Sequence, residues 1–540
     1  MRVTSFITLL LTFIAFSTSA ATSALVPQPA SVAYADGEFV FSPVTTYSVA
    51  SFPGDSIAGV FDSLKNDLEK GAGTTFRQVK KHAVLSLEVN ADLAPEAYTL
   101  DVTPKGIAIR ASRPAGFFYA LQTLRQLLPY SFTPLASPAS VPCLSITDAP
   151  RFGWRGFMLD DARHFFGKDE VKRVLDIMAT YKMNRFHWHL ADDQGWRVEI
   201  KKYPRLTDAG ARRDSKTLGW GELKPDTITY EGYYTQDDIR EIIAYAADRF
   251  IEVVPEIDIP GHSMAAIASY PEVLACDPGH PHEVWILQGI SADVMNVANP
   301  AAVQMTKDIL DELIALFPYR YMHLGGDECP TRKWEANEQC IAQLDSLGST
   351  NFRDLQLNFY KLLGEHIAAK PEADRRTLIF WNEALYGNPE LLPKDIAIMA
   401  WVAADRDARK AAERGLNTIL TPQIPYYLNR KQSTQAGEPL SQGSGRENLE
   451  VVYKYEPLRN VPAELQDKYL GVQANLWTEY IHTPEHLEYL MLPRLAAVAE
   501  TAWTPAELRD YTDFRTRIRA QRPMLDTSGW NFCRHEFMNE

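Results

Sequence analysis

The sequence predicts an α/β protein: a (β/α)8 TIM barrel catalytic domain preceded by a small α+β N-terminal domain. Three observations predict it. From about Arg151 onward, short apolar segments of strand length alternate with amphipathic segments of helix length, the rhythm of parallel strands joined by crossover helices. Eight such apolar segments can be picked out, the number that closes a barrel. Polar and aromatic residues gather at their ends, where a parallel barrel does its chemistry.

In chain order, residues 1–20 read as a signal peptide: Arg2, an apolar segment from Phe6 to Phe16, then small residues ending at Ala20. The apolar segment is short for a membrane span. Residues 25–148 form the expected N-terminal α+β domain, with β-rich pieces such as Tyr98-Thr99-Leu100-Asp101-Val102. An amphipathic helix follows near 115–128, with Phe118, Leu121, Leu124 and Leu128 at helical spacing. No residue there points to chemistry. The barrel domain takes 149–540, with strands expected at 156–159, 185–190, 251–259, 321–324, 377–381, 396–401, 417–420 and 471–476. Helical patterns at 169–181, 236–249, 301–317, 355–369 and 406–414 separate most of them. Loops 193–234 and 422–470 are long enough to build one face of the barrel.

Composition narrows the function classes. The 540 residues carry a formal net charge of -14, spread along the chain, which disfavours nucleic acid and anionic membrane as partners. After removal of the leader no membrane insertion is expected, and the chain is expected to be exported, periplasmic or secreted. Five cysteines, Cys143, Cys276, Cys329, Cys340 and Cys533, are too sparse for a disulfide framework. Only Cys329 and Cys340 are near each other in sequence.

The run Tyr321-Met322-His323-Leu324-Gly325-Gly326-Asp327-Glu328 organises the chain. An apolar strand ends in two glycines, which let the backbone turn out of the strand, and then in two adjacent carboxylates. Most glycosidases need two carboxyl groups facing each other, roughly 5 to 9.5 Å apart. Neighbouring side chains leaving a strand diverge, so a division of labour fits this pair better: one acid protonates a leaving group while the other holds another part of the substrate. An N-cap pair for the next helix is the alternative.

His-Leu-Gly-Gly-Asp-Glu resembles the signature of glycoside hydrolase family 20, the β-N-acetylhexosaminidases. The resemblance implies that Glu328 is the general acid/base. Asp327 would orient the substrate's own 2-acetamido group, which attacks in place of a protein nucleophile. It also implies an exo-acting enzyme on terminal β-linked GlcNAc or GalNAc, with a glycan or chitooligosaccharide as substrate and no metal or organic cofactor, and it leaves room for a homodimer.

Other strand ends extend the resemblance. Asp160-Asp161-Ala162-Arg163-His164-Phe165 is similar to the family's Asp-x-x-Arg-His-Phe element, which makes Arg163 a binder of sugar hydroxyls; guanidinium suits that planar fork where lysine does not. In His187-Trp188-His189-Leu190-Ala191-Asp192-Asp193, the two histidines share a strand face, a spacing also met in metal-dependent amidohydrolases, though a catalytic zinc wants three protein ligands and an open position. The family's His-x-His-x-x-Asp-Asp pattern instead implies that His189 and Asp192 support the acid. Pro255-Glu256-Ile257-Asp258-Ile259-Pro260-Gly261-His262 resembles its Pro-Glu-x-Asp-x-Pro-Gly-His, which adds Asp258 and His262 to that network. Trp381, Trp401 and Trp477 end three later strands. Tryptophan usually fills cores, but the resemblance makes these three the walls of a sugar pocket, with Glu479 on the hydroxyls. Tyr427 matches the tyrosine that donates to the acetamido oxygen.

Two departures stand out. Asn429 occupies a position where many relatives carry aspartate, so its contact to a sugar hydroxyl lacks charge assistance. Cys276 looks like half of a loop disulfide of the family, and no cysteine follows near Val294-Met295-Asn296. A relative that releases a disaccharide, of the lacto-N-biosidase kind, would share most of these motifs.

Overall fold

The computed structural model describes residues 24–538 except 53–56, 130–134, 136, 216, 218, 220–228 and 445–446. The expected leader at 1–20 lies outside the described residues. A seven-stranded sheet comes first, in the order Ser31–Val40, Ser140–Asp148, Tyr98–Thr103, Gly106–Ala111, Leu85–Val89, Val44–Val49, Thr75–Gln78. Burial alternates along its central strands, with Leu100, Val102, Ile107 and Ile109 inside, the period-2 pattern of a sheet covered on one face. Helices Ile57–Ala72 and Pro114–Leu127 supply the cover. Only the second of these was legible as a helix.

The expected barrel is present: Glu252–Glu256, Tyr321–His323, Thr377–Trp381, Ile396–Ala400, Asn417–Leu420, Tyr469–Leu476, Trp154–Asp160 and Arg185–His189 close on one another in that order. All pairs are parallel, and the ring closes where Gly471 to Leu476 pair with Trp154 to Leu159. These strands are buried nearly throughout, as strands covered on both faces must be. Between the fifth and sixth strands the crossover has no α-helix, only 3-10 turns at Asn382–Tyr386 and Pro389–Leu391.

The third strand departs from expectation. It stops at Glu256, not at 259. Beyond it the backbone still bonds its neighbours, Ile257 N to His323 O and Asp258 N to Ala191 O, but irregularly. Asp258 and His262 therefore reach the site from a loop. The two domains meet through buried polar groups: Asp148 accepts from Lys182 Nζ at 3.1 Å and from Trp503 Nε1 at 2.9 Å, and Arg155 pairs with Glu96 at 2.9 Å.

Candidate active site

Gly325 and Gly326 carry the chain out of the fourth strand at φ +65° and +98°, a left-handed region that disfavours side chains. Space forbids one as well: a Cβ on Gly325 would stand 1.7 Å from Asp258 Oδ1, and one on Gly326 2.2 Å from the Tyr360 hydroxyl. The amide of Gly326 donates to Asp258 Oδ1 at 2.8 Å, and its carbonyl accepts from Gln356 Nε2 at 2.8 Å. Pinned on both sides, the turn buries Asp327 and leaves the Glu328 side chain 31% exposed. Glu328 itself sits at φ +43°, a backbone strain of about 1–3 kcal/mol that the surroundings must impose. Neither acid caps a helix, since the next one, Arg332–Glu335, starts from Thr331 with no side-chain cap.

From Glu328 a chain of ionisable groups runs down into the barrel. His262 Nε2 lies 3.5 Å from Glu328 Oε2 and 3.9 Å from Asp327 Oδ2. Its Nδ1 is 3.2 Å from Asp192 Oδ1. Asp192 Oδ2 meets Arg163 Nη2 at 2.8 Å and His189 Nε2 at 3.0 Å. His189 Nδ1 then lies 2.5 Å from Glu256 Oε2. A tight hairpin, Ala191–Asp192 against Gly195–Trp196, holds Asp192 at the centre.

Burial and partners set the charges. Burial alone would lower His262, yet the Asp192 carboxylate and the hydrogen bond to it, with Asp193 and Glu328 close by, push it well above its ordinary value. The same contest, won by the charge of Glu256, carries His189 up to about 10. Burial would raise Asp192, but Arg163 and His262 hold it far below the usual carboxylate range. Asp258 goes the other way. Burial and the neighbouring Asp327 charge push it well up, and Asp327 is itself raised, first by burial.

Glu256 is a residue whose role sequence reasoning missed. It is fully buried, with His187 Nε2 at 3.0 Å, His189 Nδ1 at 2.5 Å, His323 Nδ1 at 2.9 Å and the Trp381 indole donating at 2.9 Å. Its register, opposite His189 and His323 on the adjoining strands, was the available signal. His187, Glu256 and His323 place ligand-type atoms within 4.8 Å of one another. Their setting does not suit a catalytic metal: all three are at 0% exposure, the carboxylate is already bonded to the Trp381 indole and to His189, and no face opens to a substrate. His187 and His189 are thus spent on one carboxylate.

Aromatic side chains form the opposite wall. Trp401 and Tyr427 lie nearly parallel, 6.0 Å apart, and Trp477 stands 6.0 Å from Tyr427 with Arg163 over its ring at 5.0 Å. Trp381 is fully buried beneath, 6.1 Å from Trp477. The Trp401 indole donates to Glu383 at 3.0 and 3.2 Å. Arg163, Asp258, His262, Asp327, Glu328, Trp401, Tyr427, Asn429, Trp477 and Glu479 line one narrow pocket with a cavity volume of about 70 Å³. Gln423 and Gln442 join them. Gln442 comes from the long loop and accepts from Asn429 Nδ2 at 3.3 Å; nothing in its sequence setting marked it. Two roomier grooves, at 361–395 and between 59–63 and 247–250, hold no comparable cluster, so size alone does not locate the site.

Three N–H groups of Arg163 are engaged by Gln194 Oε1 at 3.0 Å, Asp160 Oδ2 at 3.4 Å and Asp192 Oδ2 at 2.8 Å. The guanidinium is therefore held rigidly at the pocket edge. A site of this kind offers one reachable acid beside a cationic imidazole, a second acid buried against an aromatic wall, and polar groups spaced for a ring of hydroxyls.

Comparison with known proteins agrees with this geometry. Residues 152–506 match the model of "Glycosyl hydrolase family 20, catalytic domain", and residues 22–149 that of "Glycosyl hydrolase family 20, domain 2". A β-hexosaminidase of Porphyromonas gingivalis is 37% identical over 521 residues, covering 94% of this chain and 64% of the relative. One of Vibrio furnissii is 37% identical over 489 residues, covering 89% and 77%. The chain thus spans just under two thirds of the Porphyromonas protein. Among solved structures, a family 20 exo β-N-acetylglucosaminidase of Vibrio harveyi, in complex with N-acetylglucosamine, superposes with a TM-score of 0.83 at 34% identity, covering 95% of this chain and 78% of that one.

Proposed function

This chain belongs to glycosyl hydrolase family 20, and from that premise we propose that it is an exo-acting β-N-acetylhexosaminidase removing terminal β-linked GlcNAc or GalNAc from glycans. The observation that carries the reading is the asymmetry of the adjacent acids. Glu328 is reachable from the pocket, whereas Asp327 is buried beside the aromatic wall.

Glu328 protonates the glycosidic oxygen as the leaving sugar departs. The carbonyl oxygen of the substrate's acetamido group attacks the anomeric carbon from the opposite face. Asp327 accepts a hydrogen bond from the acetamido N–H, and the Tyr427 hydroxyl donates to the oxygen. Trp401 and Trp477 hold the methyl and the sugar ring by their apolar faces. The product of this step is an oxazolinium ion. Glu328, now ionised, takes a proton from water as it attacks, and the configuration is retained. Arg163, Asn429 and Glu479 bind hydroxyls of the terminal sugar. We further propose that residues 1–20 direct export, the mature enzyme working in a periplasm or outside the cell. Among the described residues no helix is long and apolar enough to cross a membrane.

The test is release of nitrophenol from 4-nitrophenyl N-acetyl-β-glucosaminide by wild type and Glu328→Gln, with and without EDTA. Hydrolysis that survives EDTA and falls about 10²–10⁴-fold in the folded variant supports the proposal. A folded wild type that turns over only disaccharide glycosides, or loses activity with EDTA, would overturn it.

A further inference from the structure

Cys276 lies just beyond the short helix Pro271–Leu274, and Cys340 lies in the helix Glu338–Ser346 that follows the acid turn. One side chain clasps both. Asn337 donates from Nδ2 to the carbonyl of Cys276 at 2.8 Å and accepts at Oδ1 from the amide of Cys340 at 3.0 Å. The two thiols address alternate residues of one segment, Cys276 Sγ to Val294 O at 3.5 Å and Cys340 Sγ to Asn296 Oδ1 at 3.4 Å. Each thiol feels the other, which raises Cys276 and lowers Cys340 from the ordinary thiol value. Cys276 is half-buried and Cys340 is buried.

We infer that Cys276 and Cys340 are a disulfide site, closing a bridge between the loop after the third barrel strand and the helix after Glu328. The chemistry is thiol–disulfide exchange with a protein disulfide or oxidised glutathione. The more exposed Cys276 gives up its thiol proton to solvent as its sulfur attacks one sulfur of the oxidant and expels the other as a thiolate, leaving a mixed disulfide. Cys340 Sγ then attacks the Cys276 sulfur and releases the second thiolate. Two thiols of the chain lose two protons and two electrons, and the oxidant gains both.

The bridge would brace the wall behind the acid. The segment it closes also supplies backbone donors to that wall: Ser291 N to Asp193 Oδ2 at 3.0 Å, and Met295 N to Pro260 O at 2.9 Å. A cross-link of such long sequence reach restricts mainly the unfolded chain. This inference is independent of the activity reading, because its readout is mass.

Full-length protein equilibrated with oxidised glutathione is unfolded in iodoacetamide without reductant and weighed. Labelling of three of the five cysteines, with a non-reduced peptide joining Cys276 to Cys340, is expected. Five labels, or a cross-link between other cysteines, would overturn the inference. As a second measurement, reductant should lower the Tm of the oxidised wild type by a few degrees and leave a Cys276→Ser, Cys340→Ser double variant unchanged. Equal responses in the two proteins would also overturn it.

Discussion

His262 Nε2 lies 3.5 Å from Glu328 Oε2, and the other ring nitrogen is anchored 3.2 Å from Asp192 Oδ1. An imidazole held between two carboxyl groups, and kept cationic by one of them, can follow the change of charge on the other as its proton is given up and recovered. Replacing His262 by Asn should therefore lower kcat on a chitooligosaccharide by about 10²-fold or more. The loss should be smaller on a 4-nitrophenyl glycoside, whose leaving group is stable as an anion and needs less help from an acid. Losses of the same size on both substrates would show that His262 does not act through Glu328.

Asp258 and Asp327 differ in what their charge does. Burial and the neighbouring Asp327 charge favour the protonated form of Asp258, while its Oδ1 accepts from the amide of Gly326. Asparagine reproduces that neutral acceptor. Asp258→Asn should thus keep kcat/KM within about tenfold of wild type. Asp327→Asn, which removes an electrostatic partner of the reacting acetamido group, should cost about 10²–10³-fold. A steady-state comparison of the two variants decides the point, and an Asp258→Asn as damaged as Asp327→Asn would contradict it.

Much of this site was legible because strand ends carry both fold and chemistry. The paired glycines announced a turn, and both adopt the left-handed backbone that only glycine takes without strain. His187 and His189 were read as sharing a face, and both reach Glu256. What escaped reading depends on contacts remote in sequence. Gln442 reaches the pocket from the middle of a long loop, and Cys340 finds Cys276 across 64 positions, where spacing carries no signal. Glu256 was visible in its motif, but its role depends on three imidazoles from two other strands. The third strand was read too long because its apolar pattern continues past the point where regular pairing stops.

Stability should carry the signature of the same cluster. His189 has a folded value of about 10 against an ordinary 6.5, so its proton is held more tightly in the native state. The stability it contributes is fully present below about pH 6.5 and is lost as pH rises towards 10. Asp192 and Glu256, held low after burial is outweighed by their cationic neighbours, contribute stability that is lost only as pH falls below the ordinary carboxylate range. Thermal unfolding of wild type and His189→Gln between pH 6 and 10 tests this. The gap in Tm should be widest near pH 6 and narrow steadily towards pH 10; a constant gap would mean that His189 is neutral in the fold.

The Trp401 wall depends on Glu383, which accepts from the indole at 3.0 Å. Burial first, and then the Asp327 charge, push this carboxyl up to about 8 from an ordinary 4.5. Below pH 8 it is a neutral acceptor that glutamine can imitate. Glu383→Gln should therefore match wild type within about threefold in kcat/KM at pH 6, whereas Glu383→Ala, which strips the indole of its partner, should raise KM about tenfold, the equivalent of one lost hydrogen bond near 1.4 kcal/mol. Above pH 8 the two functional proteins should part. Ionisation of Glu383 in wild type places a further negative charge beside Asp327, so its activity falls, and the glutamine variant remains active to higher pH. Stability follows the same sign: between pH 4.5 and 8 the native state of the wild type holds a proton that the unfolded chain has lost, so wild-type stability declines across that window. Glu383→Gln lacks the decline and should gain in Tm relative to wild type by pH 9. An alkaline limb unchanged in Glu383→Gln would place the ionisation responsible elsewhere in the pocket.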